Sequence, residues 1–453
     1  MEQPREKVAI IGSGLAGLVS ANLLFHDVRQ RYAVRVFESG KTLSLDAASI
    51  SIPDAATDAS TRVDLPMRAF AGGYYNNLKA LYDYLRIGYN SQPFLFEFAK
   101  CRDASPESLA TGRRDTSYFT HASNLHQMAP RPSRVSRTSY LMQWLYLVLA
   151  YSWFALCCFF FEPRQGETMQ QYLDRTYCPT YFVTYYLLPL LSSVSTCPHE
   201  SLLAFPASDI IEYKRRSHGA PHYTVSDGVG GVQDRLVKGI DVTLEATVTA
   251  VEPSEKGVRI TWSQGGSDAE KTEFFDKVIL AVAPDVVGRI FRPLQHHMQR
   301  IPTAVVESVV HTDWAVLHGS DARHVDKKGA QLIHLNTATS GTHTTESHHV
   351  QPCGVVVTTC PCTPLDEKCV AQRSRFTRVL RSPESQRIVN AIFDKRSNFD
   401  TDDKSVPQWR NGEDNVWLVG GWCWDGMVLL EGCVVSAMRV ADAFDVAVPW
   451  RHQ

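Results

Sequence analysis

Residues 7–17 read KVAIIGSGLAG and place a glycine-rich turn directly after a short apolar run. The run 7–11 is rich in β-branched residues, as in a buried strand, and the apolar pattern of 15–25 is typical of a buried helix. A second apolar run, 32–37, ends at Glu38. The sequence therefore predicts a strand, a helix and a second strand, which is the unit from which doubly wound parallel sheets are built.

The glycines of this turn have the GxGxxG spacing of a dinucleotide-binding motif. Gly12 permits the tight turn, Gly14 lets the backbone approach a pyrophosphate, and Gly17 allows the helix to pack closely on the strand. The helix N-terminus, with Leu15 and Ala16, then faces the phosphates, because free N–H groups and the helix dipole favour an anion.

Glu38 ends the second predicted strand, 21 positions after Gly17. A carboxylate in this position accepts hydrogen bonds from a ribose diol and repels a 2′-phosphate. A lone GxGxxG is weak evidence, but with its strand, its helix and its terminal acid the motif predicts a bound dinucleotide. The motif by itself does not distinguish a flavin from a nicotinamide dinucleotide.

A second glycine turn, Gly420 and Gly421, follows the apolar run 416–419, and Glu431 with Gly432 opens a helix. In these features the sequence resembles the flavin amine-oxidase superfamily, whose chains begin with the same motif and end with a glycine turn and a Glu-Gly helix. The resemblance extends over most of the chain and implies that the cofactor is FAD.

Further segments are similar to the same superfamily. The segment 63–78 resembles the one that leaves the ribose and passes the flavin ring, and 275–284 resembles the strand D-x-V-I-x-A-x-P. Val248 lies where relatives contact the adenine. The resemblance implies cofactor contacts from Gly12, Gly14, Leu15, Ala16, Gly17, Glu38, Met67, Arg68, Val248, Gly420, Gly421, Val428 and Leu429.

The sequence departs from the superfamily pattern at two places. No arginine follows Glu38, so Lys41 is the candidate that neutralises the pyrophosphate. Residues 285–320 contain no lysine, although many members place there a lysine linked through water to the flavin. His311, in an HTD stretch like that of a poorly characterised branch of FAD-binding proteins, lies in this region and is either a proton relay or a structural residue.

Two further residues are candidates for catalysis. Arg68 is able to hold a substrate carboxylate or carbonyl with two hydrogen bonds, or it forms an ion pair with Asp64. Trp424 follows the second glycine turn, where relatives place aromatic side chains beside the flavin, and the alternative is simple packing. With His311, these residues complete the predicted catalytic set.

Composition excludes several other classes of function. The chain has 46 basic and 48 acidic residues, a net charge of −2, which gives no reason to expect a nucleic-acid partner. The histidine-rich stretch 343–349 contains Glu346 but lacks a matched acidic or cysteine partner at ligand spacing, so no metal site is predicted. Eleven scattered cysteines and a charged N-terminus predict an intracellular, cytoplasmic protein.

Residues 139–161 carry no charge and are long enough to span a membrane. A single crossing here would put Gly12 and Gly421 on opposite sides of the bilayer, although one FAD must contact both. Two interpretations remain open: a buried helix that lines the substrate pocket, and a helix that lies in the membrane interface as a peripheral contact. Both favour a hydrophobic substrate.

The predicted fold is α/β: a two-domain FAD-binding fold with a Rossmann-type FAD domain and a mixed α+β substrate domain. The FAD domain is assigned to residues 1–80, 225–300 and 410–453, and the substrate domain to 81–224 and 301–409.

The predicted function is an FAD-dependent oxidoreductase of the oxidase or desaturase type. It acts on a hydrophobic small molecule by hydride transfer to flavin N5, with molecular oxygen or another electron acceptor. No second GxGxxG unit is present, so a separate NAD(P)H domain is not expected. Two alternatives stay open, a redox-neutral flavin-dependent isomerase of an unsaturated lipid or terpenoid and a non-catalytic FAD-stabilised binding protein.

Overall fold

The computed structural model describes residues 4–53, 60–101, 115–123, 131, 135–267, 269–317, 329–338, 343–393 and 406–451. The strands are β1 Glu6–Ile11, β2 Tyr32–Phe37, β3 Ile50–Pro53, β4 Ser60–Val63, β5 Phe70–Ala71, β6 Tyr89–Ser91, β7 Phe94–Cys101, β8 Asp115–Ser123, β9 His222–Val225, β10 Asp241–Thr243, β11 Ala246–Ser254, β12 Gly257–Gln264, β13 Glu270–Phe275, β14 Lys277–Leu280, β15 Thr303–His311, β16 Gln331–Ala338, β17 Thr345–Val350, β18 Val356–Thr359, β19 Val370–Val379 and β20 Val416–Leu418.

The helices are α1 Leu15–Phe25, α2 Asn76–Tyr84, α3 Arg137–Phe160, α4 Met169–Arg175, α5 Thr180–Phe182, α6 Leu188–Ser195, α7 His199–Leu203, α8 Ala207–Ser217, α9 Gly230–Val237, α10 Pro284–Ile290, α11 Gln295–Met298, α12 Pro383–Phe393 and α13 Leu430–Ala443. A π-helical turn, Val183–Leu187, joins α5 to α6.

A sheet of five parallel strands lies under the glycine motif. Its order is β10-β2-β1-β14-β20, so β1 runs in the middle and its residues pair with β2 on one side and β14 on the other. The last four residues of β1 are buried. A strand buried on both faces needs an apolar side chain at every position, which is why this run is continuous rather than alternating. The sheet confirms the predicted α/β fold class.

A larger sheet forms a second layer of the molecule. Its seven strands have the order β19-β15-β18-β17-β16-β7-β8, and the described pairings are antiparallel except that of β16 with β7. One face presents Phe94, Phe96, Ile333 and Phe376 to a cavity, and the alternate residues Leu95 and Leu332 of β7 and β16 are not part of its lining. This sheet therefore bounds one side of the candidate site.

Several elements lie where the sequence predicts them. The glycine motif is flanked by β1, α1 and β2, and α1 and β2 have the predicted bounds. The apolar run 139–161 is a helix, Arg137–Phe160. The five strands of the parallel sheet come from segments assigned to the FAD domain, and the division of the chain into the two predicted domains stays a prediction.

Three segments differ from what their sequence predicts. The alternation of 242–251 predicts one strand, the Ser-, Asp- and Ala-rich segment 42–62 predicts a loop, and the polar segment 103–138 predicts an exposed insertion or a boundary. The run 242–251 is not one strand: β10 and β11 belong to different sheets, and Glu245, with φ of 54°, turns the chain between them. The predicted loop 42–62 contains the hairpin of β3 with β4. The predicted exposed insertion 103–138 contains β8, paired with β7, and the start of α3, and most of its other residues lie outside the described ranges.

Candidate functional site

The GxGxxG turn has the backbone geometry that its glycines predict. Gly12 has φ of +102°, and a Cβ there would lie 2.6 Å from the carbonyl oxygen of Ala281. At Gly17 a Cβ would lie 2.1 Å from the carbonyl oxygen of Gly12, so only glycine lets α1 approach this closely. At Gly14 the nearest atom to a Cβ would be Ser44 Oγ, 3.9 Å away, which leaves this side of the turn open.

Glu38 is fixed beside this turn by hydrogen bonds. Its buried carboxylate accepts the backbone N–H and the hydroxyl of Ser13, with the backbone N–H at 3.1 Å from Oε2. Its other oxygen, Oε1, accepts the N–H of Gly40 at 2.7 Å. The only acid at the end of β2 therefore lies within hydrogen-bonding distance of the motif, as a ribose-binding carboxylate must.

The second glycine turn is held by the last helix. Gly420 donates its N–H to Ser436 Oγ at 3.0 Å, and a Cβ at Gly432 would lie 2.4 Å from Trp424 Nε1. At the start of α13, the buried carboxylate of Glu431 accepts the N–H groups of Asn77 and Leu78, at 2.9 and 3.0 Å. These are free N–H groups of the first turn of α2, so Glu431 connects the two helix N-termini.

A cavity of about 730 Å³ joins the two glycine turns. One part of its lining consists of predicted cofactor residues from both turns and from the segment 63–78, namely Gly14, Leu15, Ala16, Met67, Arg68, Gly420, Gly421, Val428 and Leu429. Its other walls are largely apolar and aromatic. The structure therefore brings nine of the predicted cofactor residues around one space.

The charges that line this cavity have one sign. Arg68, Lys214 and Arg378 contribute cationic groups, and no Asp or Glu is found in the lining formed by the described residues. A low-dielectric chamber with only positive charges favours an anion and disfavours a cation. A substrate amine, which is protonated at neutral pH, would meet an unfavourable potential here.

Arg68 contacts the loop that follows Glu38, a loop in which the sequence has no arginine. One of its guanidinium nitrogens, Nη2, donates to the carbonyl oxygen of Leu45 at 3.2 Å, in the loop that follows Glu38. Its Nε is buried without a hydrogen bond. The predicted ion pair with Asp64 is not among the ion pairs of the described residues; the carboxylate of Asp64 instead accepts the N–H of Val229 at 3.0 Å.

Arg378 also lines the cavity, although it is not among the site residues predicted from the sequence. It lies near the end of β19, where its Nε donates to the carbonyl oxygen of Ser195 at 2.9 Å and its Nη2 to that of Val194 at 3.3 Å. Burial lowers its pKa below the ordinary value, and the charge of Arg68 lowers it further. The sequence does contain a pattern that could have identified it. Side chains alternate between the two faces of a strand, so Arg373 and Arg375 lie on one face of β19 and Arg378 lies on the other.

His349 is a second lining residue that sequence reasoning missed. Its Nδ1 lies 2.9 Å from the sulfur of Met67. Burial, with the charge of neighbouring His348, lowers its pKa to about 4, so the ring is neutral at physiological pH. In the sequence, His349 is notable only as part of the histidine-rich stretch 343–349.

The other predicted residues lie outside the cavity lining. His311 is on the face of the seven-stranded sheet opposite to His349, and its ring is hydrogen-bonded to Thr358 Oγ1 at 2.6 Å. Trp424 is buried beneath α13 and donates Nε1–H to the carbonyl oxygen of Met427 at 2.9 Å. The structure brings Arg68 to the cavity but neither of the other two predicted catalytic residues.

Five of the predicted cofactor contacts are not part of the cavity lining: Gly12, Gly17 and Glu38 at the glycine turn, and Lys41 and Val248. Lys41 is exposed in the loop after Glu38. Val248, on β11, packs in an apolar cluster with Phe37 and Trp262. Neither lines the cavity, whose nucleotide end is formed by the glycine turn itself. Their roles as cofactor contacts stay predictions.

Comparisons with known proteins agree with this arrangement. Residues 10–85 match the family described as an NAD(P)-binding Rossmann-like domain, a range that includes the end of β1, α1 and β2. No curated protein sequence matches the chain.

Three solved structures share the fold over nearly the whole chain, each covering 98% of it. They are a CLA-producing fatty acid isomerase from P. acnes (TM-score 0.59, 11% identity, 100% of that chain), a protein assigned as a protoporphyrinogen oxidase from Exiguobacterium sp. 255-15 (0.55, 12%, 99%) and the cyclohexylamine oxidase of Brevibacterium oxydans IH-35A (0.54, 13%, 100%). At such identities the similarity concerns the fold alone. The chain therefore shares its fold with these three proteins.

Proposed function

We propose that this protein is an FAD-dependent oxidoreductase, of the oxidase or desaturase type, that acts on a hydrophobic small molecule. The observation that supports this proposal is the single cavity lined both by the two glycine turns and by aromatic side chains of the seven-stranded sheet. A cofactor held by the turns and a substrate held by the sheet would share one space.

The residues on the nucleotide side fit FAD. The turn at Gly14 is open to a close approach, and the N-terminus of α1 directs its free N–H groups to the same side. Glu38 lies beside this turn, so we expect its carboxylate to accept a hydrogen bond from a ribose hydroxyl. Arg68 has a buried Nε that no group of the described residues satisfies, which suits an anionic or carbonyl oxygen of the cofactor.

When bound, FAD supplies the redox chemistry, since its flavin accepts a hydride and passes two electrons to molecular oxygen or another acceptor. The protein contributes orientation and exclusion of water. Phe94, Phe96 and Phe376 form an apolar wall, and the neutral ring of His349 adds no charge to it. Such a wall favours an apolar substrate and strengthens each polar contact made within it.

The cofactor proposal is tested on the purified protein. It should be yellow, with a flavin absorbance spectrum and one FAD released per chain on denaturation. A colourless protein that FAD does not reconstitute would refute the proposal.

A redox-neutral isomerase of an unsaturated lipid or terpenoid is the second candidate. It is favoured by the presence of a fatty acid isomerase among the structures with this fold. The mass of the product separates the two: loss of two hydrogens indicates oxidation, and an unchanged mass indicates isomerisation. A non-catalytic FAD-stabilised protein would neither reduce its flavin in anaerobic titrations nor convert any of these compounds.

The position of α3 bears on where the substrate comes from. By length and composition α3 is able to cross a membrane, and it is the one such helix in the described part of the chain. It packs along the protein with Tyr140, Ala150, Phe154 and Cys158 buried on one side. Trp153 also donates Nε1–H to the carbonyl oxygen of Thr176 at 2.9 Å.

The opposite side of α3 is apolar and exposed. Its outward residues are Leu141, Met142, Trp144, Leu145, Val148, Leu149, Leu156, Phe159 and Phe160. No charged residue occurs from 138 to 161, so this side suits hydrocarbon, and the exposed Arg137 at its first turn suits a lipid phosphate. Exposed apolar patches of this extent are typical of interaction surfaces.

We propose that α3 lies in the plane of a lipid bilayer, with its outward side in the acyl region. Two observations support a lipid rather than a protein partner. The charges are confined to the ends, and α3 residues Tyr151 and Phe154 also line the cavity. The cavity rim continues to Lys214, which donates to the Tyr151 hydroxyl at 2.6 Å. A hydrophobic substrate would then enter from the membrane.

Vesicle flotation tests this membrane contact. The wild-type protein should float with phosphatidylcholine vesicles, and the variant L141S/L145S/L149S should remain in the aqueous fraction. The control V28S/V305S removes exposed apolar side chains elsewhere and should float like the wild type. A wild-type protein that does not float, or one that instead forms a dimer broken by the same triple substitution, would contradict the proposal.

A further inference from the structure

Arg378 is placed to meet a ligand on the substrate side of the cavity. It lies on β19 of the seven-stranded sheet, on the same face as the lining residue Phe376. Its two protein hydrogen bonds go to carbonyl oxygens at the end of α6, Val194 and Ser195, and use Nε and Nη2. The remaining N–H groups of the guanidinium are not occupied by any hydrogen bond that the described residues form.

The charge of Arg378 has no acidic counterpart. No ion pair joins Arg378 or Arg68 to a carboxylate among the described residues, and no Asp or Glu of those residues lines the cavity. By contrast, Arg373 and Arg375, on the outer side of the same strand, both pair with Glu307. Arg378 is half-buried, and a partly desolvated guanidinium without an opposite charge is unfavourable, so an anionic ligand would stabilise it.

The two cavity arginines, Arg68 and Arg378, differ in the parts of the protein that they contact. Arg68 bonds to the loop after Glu38, on the nucleotide side, whereas Arg378 belongs to the substrate-side sheet. FAD therefore accounts for Arg68. Arg378 is left with no cofactor group assigned to it.

We infer that Arg378 binds the carboxylate of the substrate, which is a carboxylic acid with a long apolar chain. This inference rests on the proposed function and names its substrate class. The guanidinium fork matches a carboxylate with two parallel hydrogen bonds. The apolar chain of the acid packs against Phe94, Phe96 and Phe376, and the cationic lining rejects the corresponding amine.

A purely structural role for Arg378 predicts a different result. Its bonds to the end of α6 satisfy free carbonyl groups, and loss of these bonds would lower stability without regard to the charge of a ligand. A role in binding the carboxylate must instead distinguish an acid from its own ester. The decisive quantity is therefore a ratio of two affinities measured on the same protein.

The experiment uses the FAD-loaded protein and isothermal titration calorimetry with decanoic acid, methyl decanoate and decylamine. The wild type should bind the acid at least about tenfold more tightly than the ester, and the amine most weakly. Arg378→Met should abolish the preference for the acid and leave the affinity for the ester unchanged. Arg378→Lys, which keeps the charge but loses the fork, should retain part of it.

Arg375→Met is the matched control, because it removes an arginine from the outer side of the same strand. It should keep the preference for the acid. Equal preference in the wild type and in Arg378→Met, or loss of FAD from Arg378→Met in place of loss of the preference, would overturn the inference. Flavin reduction is scored separately: if no compound reduces the flavin, the oxidoreductase proposal fails while the affinity ratio still tests Arg378.

Discussion

At the scale of single residues, Gly17 and Gly14 of the same turn differ in how much space a side chain would find. Replacement of Gly17 by alanine puts a methyl group 2.1 Å from a backbone oxygen, which no side-chain movement relieves. We expect Gly17→Ala to lose at least about 2 kcal/mol of unfolding free energy. Gly14→Ala should leave stability nearly unchanged, because its methyl group meets only Ser44 Oγ at 3.9 Å.

Denaturant unfolding of the two variants measures this difference. Gly14→Ala serves as the control for the substitution, and it should still weaken FAD binding because its methyl group projects into the cavity. Equal stability of the two variants would contradict the tight helix-to-strand contact.

His311 makes stability depend on pH. Its Nδ1 accepts the N–H of Asp313 at 3.2 Å, and burial, with the charge of His348, lowers its pKa to about 4. The unfolded chain, with a pKa near 6.5, binds the proton more readily, so stability falls as the pH drops from about 6.5 to about 4. His311 alone accounts for up to about 3 kcal/mol of that loss.

The variant His311→Asn should flatten the slope of unfolding free energy against pH by up to one proton in this window. The slope should not vanish, since His199 and His349 also have a pKa of about 4. His296→Asn, which changes an exposed ring, is the control and should leave the slope as in the wild type. An unchanged slope in His311→Asn would contradict the prediction, because it would show that the His311 ring binds its proton as readily in the folded protein as in the unfolded chain.

At the scale of elements, local patterns predict an element well when its ends carry their own signals. The unit β1-α1-β2 is found where it is predicted because glycines and a terminal acid mark its boundaries. The break between β10 and β11 has no such signal. Apolar and polar residues alternate through 242–251, and no glycine or proline interrupts them. The chain turns at Glu245, which adopts a positive φ although it is not a glycine.

Glu431 gives a prediction about two helices at once. It is buried, and its carboxylate accepts N–H groups at the start of α2 while belonging to the first turn of α13. Glu431→Ala leaves those donors buried and unsatisfied, so we expect a loss of about 2 to 4 kcal/mol in unfolding free energy. Glu431→Gln retains an acceptor oxygen and should lose less. Thermal denaturation compares both with Glu255→Gln, a substitution at an exposed site, and equal stability of all three would be the contrary result.

At the scale of the whole molecule, the sequence predicts that the two glycine turns lie together, as they do at the cavity, but it does not predict the residues of the opposite wall. The GxGxxG turn, Glu38 and the Gly420 turn carry their chemistry in short stretches. Arg378 and His349 come to the cavity only because β19 and β17 are strands of one sheet whose order differs from the order of the chain. Proximity of that kind depends on tertiary pairing, which no local pattern specifies.

The arrangement of the cavity also predicts how the cofactor affects stability. FAD would contact both glycine turns, so its binding should stabilise the folded protein by about 2.7 kcal/mol at a free concentration one hundred times its Kd. The melting temperature of the FAD-depleted protein should therefore rise with added FAD. FMN, which lacks the adenosine half, should raise it less. A melting temperature independent of FAD would argue against a site that spans both turns.

The alternation of β19 has a consequence for insertions and deletions. Arg373 and Arg375 face solvent and Arg378 faces the cavity only because an odd number of positions separates them. Deletion of Thr377 would shift the end of the strand by one residue and turn Arg378 to the outer side of the sheet. The cavity would then lose the positive charge of Arg378. Among sequences related to this chain, the length of this strand should thus be less free to vary than the identity of its outward residues.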